Sequence, residues 1–163
     1  MLNNRVYLTL QSMDVKTTVR VGAYIIRQNK QGLHELLLLQ HPDCPEAPLQ
    51  IPGGGVEPDE LIEDALHREV LEECGLNNLV VIRKLGTAEI CWRLPRKLIS
   101  YRHCFLLQAP QNTLDVWDHT VQGNGIDAGM KFSYFWHRPA LDFKLPEGLG
   151  CFLSPEHIPE LYD

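Results

Sequence analysis

At 163 residues the chain has the length of one ordinary domain, enough to bury roughly 70% of its unfolded surface. Hydrophobic residues at 44% and charged residues at 22% are the proportions of a soluble globular protein. A net charge of −6 leaves out the basic face that long nucleic acid requires, although an acidic protein can hold a small anion where a metal supplies the positive charge.

No apolar run approaches a membrane span, and the opening MLNNRVYLTLQSMD is not a basic stretch followed by an apolar one. This predicts a cytoplasmic protein with no membrane partner. The five cysteines (Cys44, Cys74, Cys91, Cys104, Cys151) are odd in number and lack CxxC spacing. Buried or partly buried thiols in a reducing compartment fit better than a disulfide scaffold or a zinc ribbon.

In chain order, residues 17–27 (TTVRVGAYIIR) and 33–40 (LHELLLLQ) read as strands of a hairpin around the turn cluster 28–32. Residues 41–50, with three prolines, read as a loop leading to the glycine-rich stretch IPGGGVEPD. Residues 59–74 form the clearest helix: Pro58 and Asp59 suit its start, acidic residues its first turn, and Gly75 its exit. A strand over 79–88 is predicted next, then a hairpin with arms near 89–94 and 98–108 around Pro95-Arg96-Lys97. Residues 109–130 read as a long loop, 131–137 (KFSYFWH) as a strand, and SPEHIPELY as at most a small terminal helix. The pattern predicts one α/β domain spanning 1–163, a twisted sheet with one long central helix.

The helix carries the informative feature. At 100° per residue, Ile62, Ala65, Leu66 and Val70 share the face to be buried. One turn further, that face meets Glu69, Glu72 and Glu73, spaced i, i+3 and i+4. Acidic clusters on helices usually face water; here they extend the apolar stripe. They also repel one another and oppose the dipole of the helix C-terminus. Divalent cations offset both costs, and hard oxygen ligands at this spacing suit magnesium or manganese. Arg68 is placed to hold one carboxylate. Gly53-Gly54-Gly55 would let backbone approach a phosphate or offer a carbonyl to a metal.

The spacing resembles the complete Nudix box: Gly54, five residues, Glu60, seven residues, then Arg68-Glu69-Val70-Leu71-Glu72-Glu73-Cys74-Gly75-Leu76. Chance agreement at all nine specified positions is on the order of 10⁻¹⁰ per starting point. The resemblance implies the Nudix α/β/α sandwich, a mixed twisted sheet with the box as loop, helix and loop. It also implies hydrolysis of a nucleoside diphosphate linked to another group. On this reading Glu69, Glu72 and Glu73 are metal ligands, Gly53 offers its carbonyl, and Glu57 is an additional ligand or acid. Arg68 orients the glutamates, Glu60 braces the loop through Arg68 or a neighbouring amide, and Gly54 and Gly75 are structural. One departure is Leu49, where the family often has tryptophan.

Bound magnesium would neutralise charge and lower the pKa of a water that attacks one phosphorus in line. The general base does not transfer from the family: Glu69 is one candidate, and Asp115, Asp118, His119 and Asp127 in the long loop are others. Each of those four has turn chemistry as its plainer explanation. Trp92, Tyr101, Trp117, Phe132, Tyr134 and Trp136 read as core more than as base-stacking residues. The Arg93, Arg96 and Lys97 cluster is as ordinary at an exposed turn as it is useful for phosphate, and His41 and Cys44 lack companions for a metal. Cys91 and Trp92 stand near the positions of two subfamily signatures and meet neither, so the substrate stays open between nucleoside triphosphates and nucleotide sugars. The expected partner is a small nucleotide-type molecule, and a homodimer is compatible with the sequence. The alternative is a Nudix fold that binds a nucleotide or protein without catalysis, disfavoured because no box glutamate is missing.

Overall fold

The computed structural model describes residues 15–92, 97–146 and 148–163. Strands β1 (Lys16–Gln28), β2 (His34–Gln40), β3 (Gly53–Gly55), β4 (Val80–Trp92), β5 (Leu98–Gln108), β6 (Val116–Thr120) and β7 (Lys131–His137) surround one α-helix, α1 (Ile62–Cys74). They form one mixed seven-stranded sheet in the order β4-β5-β1-β2-β7-β6. β1 runs parallel to β5 on one side; on the other it pairs antiparallel first with β3 and then with β2.

The unbroken apolar runs of β1 and β2 follow from burial on both faces. Val21, Ala23, Ile25, Leu37 and Leu39 pack under α1 against Ala65, Leu66, Val70 and Cys74. The alternate residues Tyr24, Ile26, Leu36 and Leu38 pack against Leu153, Ile158 and Leu161 of the C-terminal segment. That second layer is an irregular segment with a 3-10 turn, Pro159–Leu161, where the sequence allowed a small helix. The α/β sandwich stands, with its helical layer on one side only among the described residues.

Four local expectations are corrected. Helix α1 begins at Ile62, three residues later than its sequence signals, because Asp59 adopts a left-handed φ of 62° and breaks the helical path. The glycine run is a short strand: Gly53–Gly55 pairs with Arg20–Gly22, and its value is steric, since none of the three has positive φ. Residues 80–92 are one continuous strand bent by two register shifts near Arg83 and Gly86, where two strands were predicted. Within the expected 109–130 loop lies β6, an edge strand paired to β7. The Arg93 and Arg96 turn lies outside the described residues. All five cysteines are unpaired; Cys74 and Cys104 are buried, whereas Cys44, Cys91 and Cys151 are exposed, against the expectation of buried or partly buried thiols.

Candidate active site

β3 and the C-terminal half of α1 bring the box residues together. A side chain on Gly53 would strike the Val21 carbonyl, and one on Gly54 would strike the Glu69 carboxylate, so bare backbone is required at both positions. Beside them Arg68 is the hub. Its Nε and Nη2 donate to the two oxygens of Glu60 at 2.7 and 2.8 Å, the two-pronged geometry that guanidinium favours. Nη2 also donates to the Gly55 carbonyl at 2.9 Å, and Nη1 reaches Glu69 at 2.9 Å and Glu72 at 3.3 Å. Glu60 in turn accepts from the Glu57 amide at 2.9 Å, so it holds both the loop and the arginine. Its carboxyl is held down at about 2 by the Arg68 hydrogen bonds.

Glu73 is different. Its side chain is 4% exposed, and one oxygen accepts a 3.4 Å bond from the Gly53 amide. Burial pushes its pKa up to about 8, with Asp127 and Glu69 adding to the rise. Burial also raises Glu69, against the pull of Arg68.

A cleft of about 600 Å³ opens over Glu69, Glu72, Arg68 and Glu57, closed on the far side by Asn124–Asp127. A smaller niche of about 90 Å³ adjoins it, lined by Gly53, Glu73, Asp127, Arg20 and Arg102. Arg20 and Asp127 border both spaces. Of the four candidate bases outside the box, Asp127 alone borders the cleft. Asp115 pairs with Arg27 at 2.8 Å, and Asp118 bonds Ser133 and Lys131 on the outer edge. His119 turns its Nε2 to the Glu72 backbone carbonyl at 3.1 Å and packs where a side chain on Gly75 would sit. Gly75 itself takes φ 72° as the helix ends and donates to the Leu71 carbonyl.

Arg20 and Arg102 were not singled out from sequence, although an arginine inside the β-branched run TTVRVGAYII was the available signal. Gly123 is a second omission: at φ 88° it lies against Glu72, whose carboxylate a side chain there would meet at 2.7 Å.

Among the described residues no three Asp, Glu, His or Cys side chains already stand in ligand geometry. The reason is visible: Arg68 draws Glu69 and Glu72 toward itself, while Glu73 turns to an amide. The donor set still suits a hard divalent ion, being all carboxylate, on adjacent helical turns, with Glu73 buried deeply enough that burial outweighs the pull of Arg20.

A mixed sheet with one glutamate-bearing helix packed behind a three-glycine strand defines a particular class of α/β protein. The chain belongs to the Nudix family: residues 16–139 match the NUDIX domain. An RNA pyrophosphohydrolase of Coxiella burnetii is 38% identical over 89 residues, covering 54% of this chain and 38% of that protein. One from Cronobacter sakazakii is 32% identical over 109 residues, covering 58% of this chain and 60% of its own length. The chain therefore spans less than two thirds of the length of these curated relatives. The fold matches the NUDIX domain of Shewanella oneidensis NrtR complexed with ADP ribose, with a TM-score of 0.55 at 19% identity, covering 90% of this chain and 89% of that one. No helix of the described residues is long and apolar enough to cross a membrane.

Proposed function

We propose that this chain is a magnesium-dependent Nudix pyrophosphohydrolase that cuts a diphosphate linkage in a nucleoside polyphosphate or related nucleotide. The observation that carries the reading is the placement of Glu69 and Glu72 on the cleft and of Glu73 on the niche that adjoins it, with Arg68 bonded to the first two. Glu69, Glu72 and Glu73 would hold magnesium, or manganese in its place, with Glu57 and the Gly53 carbonyl as further ligands. When bound, the metal supplies positive charge for the phosphates and a more acidic water.

The protein's own groups do the rest. Arg68 orients Glu69 and Glu72, and Glu60 fixes Arg68. Gly54 keeps the strand close to Glu69. Asp127 is the proposed general base, because it faces the cleft and has no ion-pair partner among the described residues, whereas Glu69 is tied to Arg68. The relatives' name adds RNA to the substrates worth trying, gripped through its phosphates; the net charge of −6 gives no support to a long nucleic-acid footprint. A cytoplasmic location and a single domain over 1–163 belong to the same proposal.

The test is turnover of a nucleotide panel with products identified by mass, with and without magnesium. Glu72→Gln should lower metal-dependent turnover by more than the roughly 10–100-fold typical of residues that only support a ligand, while the fold is kept. Asp127→Asn should lower kcat yet leave Mn²⁺ affinity intact. A wild-type protein that binds metal and turns over nothing in the panel would favour the binding-module alternative.

A further inference from the structure

Arg20 of β1 and Arg102 of β5 are direct partners in the parallel register, so their side chains leave the same face side by side. Like charges directly opposite on neighbouring strands are destabilising. Neither arginine has a carboxylate within ion-pair distance among the described residues, where pairs are made by Arg27, Arg68, Arg83 and Lys131. The Arg20 Nε is buried and has no hydrogen-bond partner. Arg102 makes one bond, from Nη1 to the Gly148 carbonyl at 3.2 Å, and its charge is disfavoured by burial and by Arg20.

The placement is built, because the Arg102 stem crosses β1 at Gly22, where a side chain would meet its Cδ at 3.1 Å. Both arginines line the 90 Å³ niche, which Glu73 and Asp127 also border, Arg20 being close enough to draw on the Glu73 carboxyl, and Arg20 borders the cleft over Glu69 and Glu72 as well. Two adjacent guanidinium groups, partly buried and short of acceptors, cost free energy that an anion would recover. Guanidinium groups also match the tetrahedral oxygens of phosphate two at a time.

We propose that Arg20 and Arg102 form a second anion subsite, which takes a phosphate of the substrate while the neighbouring part of the phosphate chain lies over the glutamates. The inference rests on the hydrolase reading for the nature of its ligand, but not for its geometry. It makes the favoured substrate a chain of phosphates long enough to reach from the carboxylate cleft into the niche. Arg20, at the junction, would set that reach.

The probe is inorganic tripolyphosphate, titrated calorimetrically into the full chain in excess magnesium. Mn²⁺ affinity is measured separately by electron paramagnetic resonance. Arg20→Met should weaken tripolyphosphate at least about tenfold, the loss expected for removing one charge-assisted contact, and Arg102→Gln should do likewise. Mn²⁺ affinity should hold in both variants. Tripolyphosphate affinities within about threefold of wild type overturn the subsite, as does wild-type protein that binds Mn²⁺ but not tripolyphosphate. Should Arg20→Met fail to fold, Arg102→Gln on the other strand decides alone. Failure of the hydrolase reading looks different: tripolyphosphate binds, the variants weaken it, and no nucleotide is cleaved.

Discussion

The two ends of α1 are built on opposite plans. At the N-terminus Leu61 occupies the capping position, makes no side-chain cap, and is 71% exposed; only Glu63 and Asp64 in the first turn favour the dipole. At the C-terminus every carbonyl from Leu71 to Cys74 has an outside donor. The Gly75 amide serves Leu71, while the Gln122 amide and His119 Nε2 serve Glu72. Tyr134 Oη serves Glu73 at 2.7 Å and Trp117 Nε1 serves Cys74 at 2.9 Å. No basic residue stands in that last turn. Helices ordinarily place cations there, but a cation would pair with Glu72 and Glu73. Donors from β6, β7 and the segment after β6 satisfy the backbone without adding a second cation to Arg68, which already bonds Glu72. The weak end is generic helix; the strong end carries the candidate site.

The largest test of this contrast is pH. In chelator, Glu73 has its pKa raised from 4.5 to about 8 by burial, so the folded state holds more protons than the unfolded state between those values. Stability is therefore greatest toward the acid side of that window and falls as pH rises from about 5 to 8, by an amount on the order of 3 kcal/mol. Glu69, also raised, acts in the same direction. Urea unfolding at four pH values should give this slope in wild type and a flatter one in Glu73→Gln, and added magnesium should flatten it too. A metal-free protein that gains stability from pH 5 to 8 would rule out a Glu73 whose burial outweighs its partners.

Next comes the capping set. Tyr134→Phe leaves the ring in its stack on Trp117, 5.1 Å between centroids, but removes the one side-chain donor to the Glu73 carbonyl. About 2 kcal/mol should be lost, the cost of an unsatisfied buried acceptor. His119→Ala should cost less, about 1 kcal/mol, because the Gln122 amide still serves Glu72 at 2.8 Å. Turnover should survive it; a fall of several orders of magnitude with metal binding kept would restore His119 as a base.

The same contrast governs what could be read from sequence. The box helix was legible because its signal is local: the apolar stripe, the glutamate spacing and the exit glycine lie within 62–75 and depend on nothing distant. β6 was not, although Val116–Thr120 alternates outward and inward residues, because Gly123, Gly125 and Gly129 close behind it outweighed five residues of period two. The helix start was misplaced for a related reason. Pro58 and Asp59 suit a first turn, but the left-handed φ at Asp59 is set by the Glu57–Glu60 turn and the grip of Arg68 on Glu60, a contact eight residues away. Arg20 and Arg102 gave no sign of each other, since only the parallel β1–β5 register brings residues so far apart in sequence side by side.

The smallest expected effect belongs to the weak end of the helix. Leu61 has the extended backbone of a capping residue, φ −70° and ψ 143°, without an oxygen to use there. Leu61→Ser supplies an acceptor for the orphan amides of the first turn and removes an exposed apolar side chain, adding no charge beside Glu60 and Glu63. Stability should rise by about 1 kcal/mol in urea unfolding. Turnover should stay unchanged, because the gain lands on the end of the helix away from the proposed metal ligands. A Leu61→Ser protein that is stabilised but markedly slower would mean that the two ends are coupled through the 57–60 turn and Arg68. The loose start of the helix would then belong to the site as much as its tightly capped end does.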